Sequence, residues 1–249
     1  MTKPTSQSRR EDNAVLRPTI VSLTFDDGTA DQYVARAMLA RNSLNATFYV
    51  NSNNIGTSSS FLTWDELSDL AADGSEIGGH TRDHVDLTKV TTAEATSQVY
   101  EGRRALISRG FPATSFAYPY GARTANVESI VRQSGYQSAR RAWGLRSLGS
   151  IPSNFYDAVA ETIPPRNMWA ISTVGVNSAH THSDVQGAVT RAENAGGAWV
   201  VLMFHHISDG FSRNRASVSG SMLSTFLDWL ASRSVIGTYV RTMSDVVAR

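Results

Sequence analysis

The residues able to do chemistry are few and grouped. The chain has six histidines, and they fall in three tight pairs: His80/His84, His180/His182 and His205/His206. Two carboxylates, Asp26 and Asp27, stand side by side before Gly28. There is no cysteine, so thiolate nucleophiles, disulfides and Cys-ligated zinc are excluded, and any metal site must use His, Asp or Glu. Two imidazoles and one carboxylate make a three-ligand site for a divalent ion, with positions left for water and substrate. His80-x-x-x-His84 spans one helical turn, so both rings face one point if that segment is helical. Adjacent carboxylates repel, so a side-by-side pair suits a cation or an acid–base role, in which one binds metal and the other deprotonates an activated water. The plainer readings are ordinary surface or core histidines and a simple Asp-Asp-Gly turn. His180-Thr181-His182 precedes a helix in a polar stretch and reads as loop or substrate-facing rather than as a second metal site.

The elements that must position these groups alternate along the chain. Residues 19–25 (TIVSLTF) are β-branched and apolar and read as a buried strand closed by Asp26-Asp27-Gly28. Residues 30–42 carry helical spacing, with Val34, Ala37, Met38 and Arg41 on successive turns. Strands follow at 46–51 and 76–80, separated by a helix that a Thr63/Glu66 capping box starts. Then come a helix at 92–109, a strand at 115–118, a helix at 125–134 and a strand at 136–139. The 144–179 stretch predicts several short strands. A helix over 183–194 takes a serine N-cap. A strongly apolar strand covers 198–204 (AWVVLMF), a helix 220–232, and a strand at 239–241 and a short helix close the chain. This order predicts an α/β fold with a parallel sheet, open or closed, whose chemistry lies at the C-terminal strand ends. Asp26-Asp27, His80 and His205-His206 all end predicted strands. Residues 1–18 read as a flexible tail and 19–249 as one domain.

Composition bounds the alternatives. The chain has 249 residues, 41% hydrophobic and 18% charged, which excludes a disordered or charged-tail protein. Twenty-three Lys plus Arg against 22 Asp plus Glu leave a net charge of +1, too little to drive binding to nucleic acid. No run of 18 apolar residues predicts a membrane span, and the N-terminus has no apolar core of a signal peptide.

These residues resemble the polysaccharide deacetylases, the NodB homology domain or carbohydrate esterase family four, over roughly residues 19–246. The first motif, T-F-D-D-G, is Thr24-Phe25-Asp26-Asp27-Gly28, and the second, H-[ST]-x-x-H, is His80-Thr81-Arg82-Asp83-His84. Ala117-Tyr118-Pro119-Tyr120-Gly121 stands at the third motif and Met203-Phe204-His205 at the fifth. The resemblance implies a distorted (β/α) barrel and a metal-dependent hydrolase that removes N- or O-acetyl groups from a glycan outside the cell. It implies Asp26 as general base, Asp27, His80 and His84 as ligands of one divalent ion (zinc first, cobalt or nickel as alternatives), and His205 as general acid. Tyr120 would offer its backbone N–H to the oxyanion, Trp143 would wall the acetyl pocket, and Met203 and Arg140 join the substrate-binding positions. Strand alternation does not choose between His205 and His206, since residues 198–204 are apolar on both faces; the motif favours His205.

Two departures matter. Ala117 replaces the family arginine that orients the base, and Ala139-Arg140-Arg141-Ala142-Trp143 lacks the fourth-motif aspartate that tunes the acid histidine. Arg140 or Arg141, with Arg140 favoured, is expected to supply the guanidinium to Asp26. Asp184 and Asp209 are the loop carboxylates open to the histidine. Trp64, Trp143, Trp169 and Phe211 are the aromatics open to sugar stacking. The alternatives are the same fold and metal acting on a non-carbohydrate or cyclic amide, and a non-catalytic glycan-binding module, against which the intact Asp26, Asp27, His80 and His84 argue. The polymer and the oligomeric state are not read from the sequence.

Overall fold

The computed structural model describes residues 17–144, 160–208 and 216–248, with Trp143 described in its backbone only. Most of the expected 1–18 tail, Asp209, Phe211 and the 145–159 part of the expected short strands lie outside the described residues.

Seven strands form the frame: β1 (Thr19–Asp27), β2 (Thr47–Val50), β3 (Glu76–Gly79), β4 (Ser115–Ala117), β5 (Ser138–Gly144), β6 (Ile171–Gly175) and β7 (Trp199–Phe204). Each pairs in parallel with the next, and β7 pairs back onto β1, so the sheet closes into a barrel. Two short strands, β8 (His206–Ile207) and β9 (Ser217–Val218), pair beside it, and β10 (Thr238–Val240) runs parallel to the start of β1. The crossovers carry α1 (Ala35–Arg41), α2 (Trp64–Ala72), α3 (Thr92–Ser108), α4 (Ala125–Gln133), α5 (His182–Asn194) and α6 (Gly220–Ser232), and α7 (Met243–Val247) ends the fold. Among the described residues no helix is long and apolar enough to cross a membrane.

Alternation along the strands separates two cores. Val21, Leu23 and Phe25 of β1 and Val200, Leu202 and Phe204 of β7 face the helices, where Leu67, Val189, Leu223 and Phe226 cover them. Ile20, Tyr49, Ala117, Ile171, Trp199 and Val201 fill the interior, with Met243 and Val246 of α7 joining them. Met243 N–H and Ser244 N–H bond to Thr47 and Glu76 at the starts of β2 and β3, so α7 caps the N-terminal end of the barrel. The C-terminal end is left for the polar residues. Just beneath them, Phe25 stacks on Phe48 (4.9 Å) and on Phe204 (5.3 Å), anchoring the strand ends that carry Asp26 and His205.

Several local expectations are corrected. The segment after β1 begins as a 3₁₀ turn, Ala30–Val34, before α1, and its buried stripe is Gln32, Ala35 and Leu39. Val34, one of the positions at helical spacing, is 48% exposed. β5 begins later than expected and runs through Arg140 and Arg141, so these arginines lie within a strand rather than after one. Helix α5 starts one residue early and is capped by Thr181, whose box partner is Asp184, not by Ser183.

Candidate active site

The site forms where β1, β3, β5 and β7 end. The first strand carries the two carboxylates in opposite directions. Asp26 continues the inward-facing series of β1 and is 2% exposed. Asp27 takes a left-handed backbone, φ 77°, which turns its side chain toward the mouth of the barrel. Thr81 (φ 68°), His84 (φ 58°) and Tyr120 (φ 59°) share this uncommon conformation, so backbone strain concentrates around one point, as it does at functional sites.

His80 and His84 converge, but not by a helical turn. Strand β3 ends at Gly79 and residues 80–84 form a loop. The left-handed residues Thr81 and His84 bend it, and Gln98 of α3 holds it, accepting from the Arg82 N–H (3.2 Å) and the Asp83 N–H (3.0 Å). The Asn51 side chain donates to the His80 carbonyl at 2.5 Å. The imidazole Nε2 atoms of His80 and His84 lie 3.4 and 3.2 Å from Asp27 Oδ1. His80 Nδ1 is 2.7 Å from the carbonyl of Ala117; a carbonyl only accepts, so Nδ1 carries the proton and Nε2 turns a lone pair to the site. His84 Nδ1 meets the Tyr120 hydroxyl at 3.2 Å, and the Tyr120 ring stands edge-on to His84.

These residues fit a metal ion. Ligand atoms about 2.1 Å from one ion at tetrahedral angles lie about 3.4 Å apart, close to the 3.4 and 3.2 Å from Asp27 Oδ1 to the two imidazoles. Asp27 Oδ1 is buried and has no hydrogen-bond partner among the described residues, the condition of an oxygen prepared for a cation. Among the described residues Asp27, His80 and His84 are the one group able to hold a metal. Burial raises the Asp27 carboxyl, but the facing imidazoles of His80, His205 and His84 outweigh it and hold the carboxyl well below the usual range. The group is therefore anionic wherever the protein is folded near neutrality.

Arg140 and Asp26 meet on the barrel floor. Arg140 is fully buried, and one Nη2–H donates to Asp26 Oδ1. Its other terminal nitrogen lies 3.5 Å from the Met203 sulfur, and the guanidinium stacks on the Tyr49 ring at 4.6 Å. The contact to Asp26 is single rather than a two-pronged fork. Burial pulls the Arg140 pKa down to about 9, which still leaves it charged against Asp26. Arg141 points the other way, to Ser172. Met203, expected among the substrate-binding positions, is 1% exposed, and its sulfur lies against the Arg140 guanidinium.

The two adjacent histidines separate. His205 is half-buried, and burial, opposed by the Asp27 charge and aided by Arg140, lowers its pKa to about 4. His206 instead pairs with Asp31 through Nδ1 at 2.9 Å. Asp184, weighed as a partner for the acid histidine, is committed to the Thr181 cap. His180 accepts from the Asn177 N–H, and His182 stands edge-on to Phe226, outside the Asp27 group. Trp64 and Trp169 each carry a guanidinium on the ring, from Arg109 and Arg132. Tyr120 is 62% exposed above the site.

Comparison with known proteins accords with this arrangement. The family model "Polysaccharide deacetylase" matches residues 14–139, just over half of the chain. The chain belongs to the polysaccharide deacetylase family. A chitin deacetylase of Colletotrichum lindemuthianum is 34% identical over 85 residues, 33% of this chain and 34% of that protein. The peptidoglycan-N-acetylglucosamine deacetylase PgdA of Listeria monocytogenes is 31% identical over 105 residues, 41% of this chain and 22% of that one. The chain thus spans less than half the length of the curated relatives it matches. Two solved structures share the fold. A family 4 carbohydrate esterase from Streptomyces lividans in complex with acetate is 18% identical, covering 88% of this chain and 90% of that one, with a TM-score of 0.58. The Xyl-CE4 domain of a xylanase from the hindgut metagenome of Trinervitermes trinervoides is 16% identical, covering 93% and 91%, with a TM-score of 0.60.

Proposed function

We propose that the protein is a metal-dependent hydrolase that removes acetyl groups, from nitrogen or oxygen, from a glycan. One observation carries the reading. An anionic carboxylate and two imidazole nitrogens converge at the end of the strand that carries a second, buried carboxylate, which an arginine holds. A divalent ion held by Asp27, His80 and His84 supplies Lewis acidity toward a carbonyl and lowers the pKa of water. Asp26 accepts the proton of the attacking water, and Arg140 holds the carboxylate in position for it. The Tyr120 backbone N–H faces the oxygen that gains charge, a role that left-handed turns serve well. His205, neutral at rest with its pKa near 4, takes the second proton of that water from the tetrahedral adduct and passes it to the leaving nitrogen or oxygen. Acetylated structural glycans lie outside the cell, so we infer that the protein acts at the cell surface or after secretion.

The test is acetate release by protein reconstituted with zinc, cobalt or nickel. The substrates are chitin oligomers, peptidoglycan, acetylxylan and poly-N-acetylglucosamine, with cyclic amides as the competing class. Release from at least one glycan, abolished by chelation and restored by metal, is expected. Turnover of cyclic amides alone, or glycan turnover indifferent to chelator, would reject the reading.

A further inference from the structure

The hydrogen-bonded ladder between β1 and β7 runs from Ile20↔Trp199 to Phe25↔Phe204 and stops there. The next residues on the two strands are Asp26 and His205, the groups to which the proposed reaction gives its base and its acid. A single side chain spans this gap. Gln32, fully buried on the 3₁₀ turn after β1, donates one Nε2–H to the Asp26 carbonyl and the other to the His205 carbonyl, the latter at 2.7 Å.

We infer that Gln32 is a positioning residue, an added rung of side-chain amide that fixes the separation of Asp26 from His205. The inference rests on the deacetylase reading for the roles of those two residues, but not for the bonds. The amide's orientation is dictated, because the opposite one would set an oxygen against two carbonyl oxygens. Its own Oε1 is buried and has no hydrogen-bond partner among the described residues. A bare buried acceptor is costly, and an apolar residue at this place would avoid that cost, so the use of the amide lies in the two bonds it donates. The neighbouring residue strengthens the tie. Asp31 accepts from the Thr29 hydroxyl (2.6 Å) and pairs with His206 (2.9 Å), so the same turn grips both of the residues that follow β7. Gln32 bonds to Asp26 and His205 and not to Asp27 or the ligand imidazoles, which separates its effect from metal binding.

The experiment uses the full chain loaded with zinc and two variants, Gln32→Met, which keeps length and removes both donors, and Gln32→Glu, which keeps shape and replaces donors by acceptors. A misplacement of about 1 Å between reacting groups costs on the order of 100-fold in rate. We expect kcat on an acetylated glycan oligomer to fall about 10- to 100-fold. KM and zinc stoichiometry should stay near wild type, and the loss should exceed what any drop in the folded fraction explains. A folded, zinc-loaded Gln32→Met with kcat near wild type would overturn the inference; if that variant does not fold, Gln32→Glu is read by the same criteria. Wild-type protein is assayed in parallel. If it releases no acetate, the deacetylase reading fails on its own, and ring-nitrogen NMR of the histidines decides the present point. A shifted His205 signal with His180 and His182 unmoved supports the rung, and an unmoved His205 signal overturns it.

Discussion

Arg140 reaches Asp26 across the barrel from β5, three places round from β1, and does so from full burial. The guanidinium is sandwiched by its partners: Asp26 at one nitrogen, the Met203 sulfur at another, the Tyr49 ring on its face. A lysine there keeps a charge but loses the planar face and the second contact. Arg140→Lys is therefore expected to retain metal while kcat falls by one to two orders of magnitude, roughly the loss that follows when a reacting group shifts by about 1 Å. Metal analysis beside initial rates checks it; wild-type rates would mean that Asp26 needs no orienting partner.

The metal group gives a sharper result. His80 is fixed by the Ala117 carbonyl and His84 leans on the Tyr120 hydroxyl, so the two imidazoles are supported unequally. His80→Ala is expected to abolish stoichiometric metal. Tyr120→Phe should weaken affinity by no more than the 10- to 100-fold, roughly, that loss of an outer partner costs. Titration calorimetry with zinc measures both; full stoichiometry in His80→Ala would exclude it as a ligand.

Asp26→Asn separates chemistry from binding. The amide preserves shape and can still accept from Arg140, but it cannot take a proton. Metal content is expected to stay whole and turnover to fall by about 10²–10⁴-fold. Turnover close to wild type would assign the base elsewhere.

Much of the barrel was legible because its signals are local. Apolar runs such as 198–204 and the Thr63/Glu66 capping box depend on neighbouring residues only, and β7 and α2 stand where these signals put them. The errors arose where tertiary contacts decide. The 80–84 segment has helical spacing, yet its bend is set by left-handed Thr81 and His84 and by Gln98 from a distant helix. Gln32 and Gln98 were passed over although each interrupts an apolar stripe, Gln32 with Ala35 and Leu39, and Gln98 with Ala95 and Val99. A polar residue in a buried stripe is the signal that would have found both. A motif gives neighbours in sequence, not depth in a barrel, so the burial of Met203 beneath the Arg140 guanidinium is not visible in it.

The His206–Asp31 pair makes stability depend on pH. The hydrogen bond to Asp31, opposed by burial, raises the His206 pKa above its ordinary value. The folded protein thus holds this proton more tightly than the unfolded chain. The stabilisation is full below the unfolded value of about 6.5 and is lost as pH rises through the higher folded value. His206→Gln should lower Tm more at pH 6 than at pH 9. Both side chains are near a third exposed, so the difference should amount to only a degree or two, roughly. An equal loss at the two pH values would show that the pair carries no proton-linked stability.

The two glycines before His80 make the last case. A methyl group on Gly78 would meet Tyr49 Cε1 at 2.6 Å, inside the barrel, and one on Gly79 would meet the Tyr136 hydroxyl at 1.9 Å on the opposite face. Neither ring has room to retreat, since Tyr49 is fully buried and Tyr136 is 4% exposed. Tyr49 is also the surface on which Arg140 lies, so a push at position 78 passes through the ring to the guanidinium and from there to Asp26. Gly78→Ala is expected to cost about 1–3 kcal/mol, the usual penalty of overpacking a filled core, and to lower kcat with metal binding intact. Tyr49→Leu removes the crowded ring and the cation–π contact together. The double variant should therefore be more stable than the sum of the single costs predicts, by about 1 kcal/mol, a coupling of the size found between residues in direct contact. Chemical denaturation of the four proteins measures this coupling. Simple additivity would mean that the strand shifts to accommodate the methyl group and that the ring does not transmit the strain to Arg140.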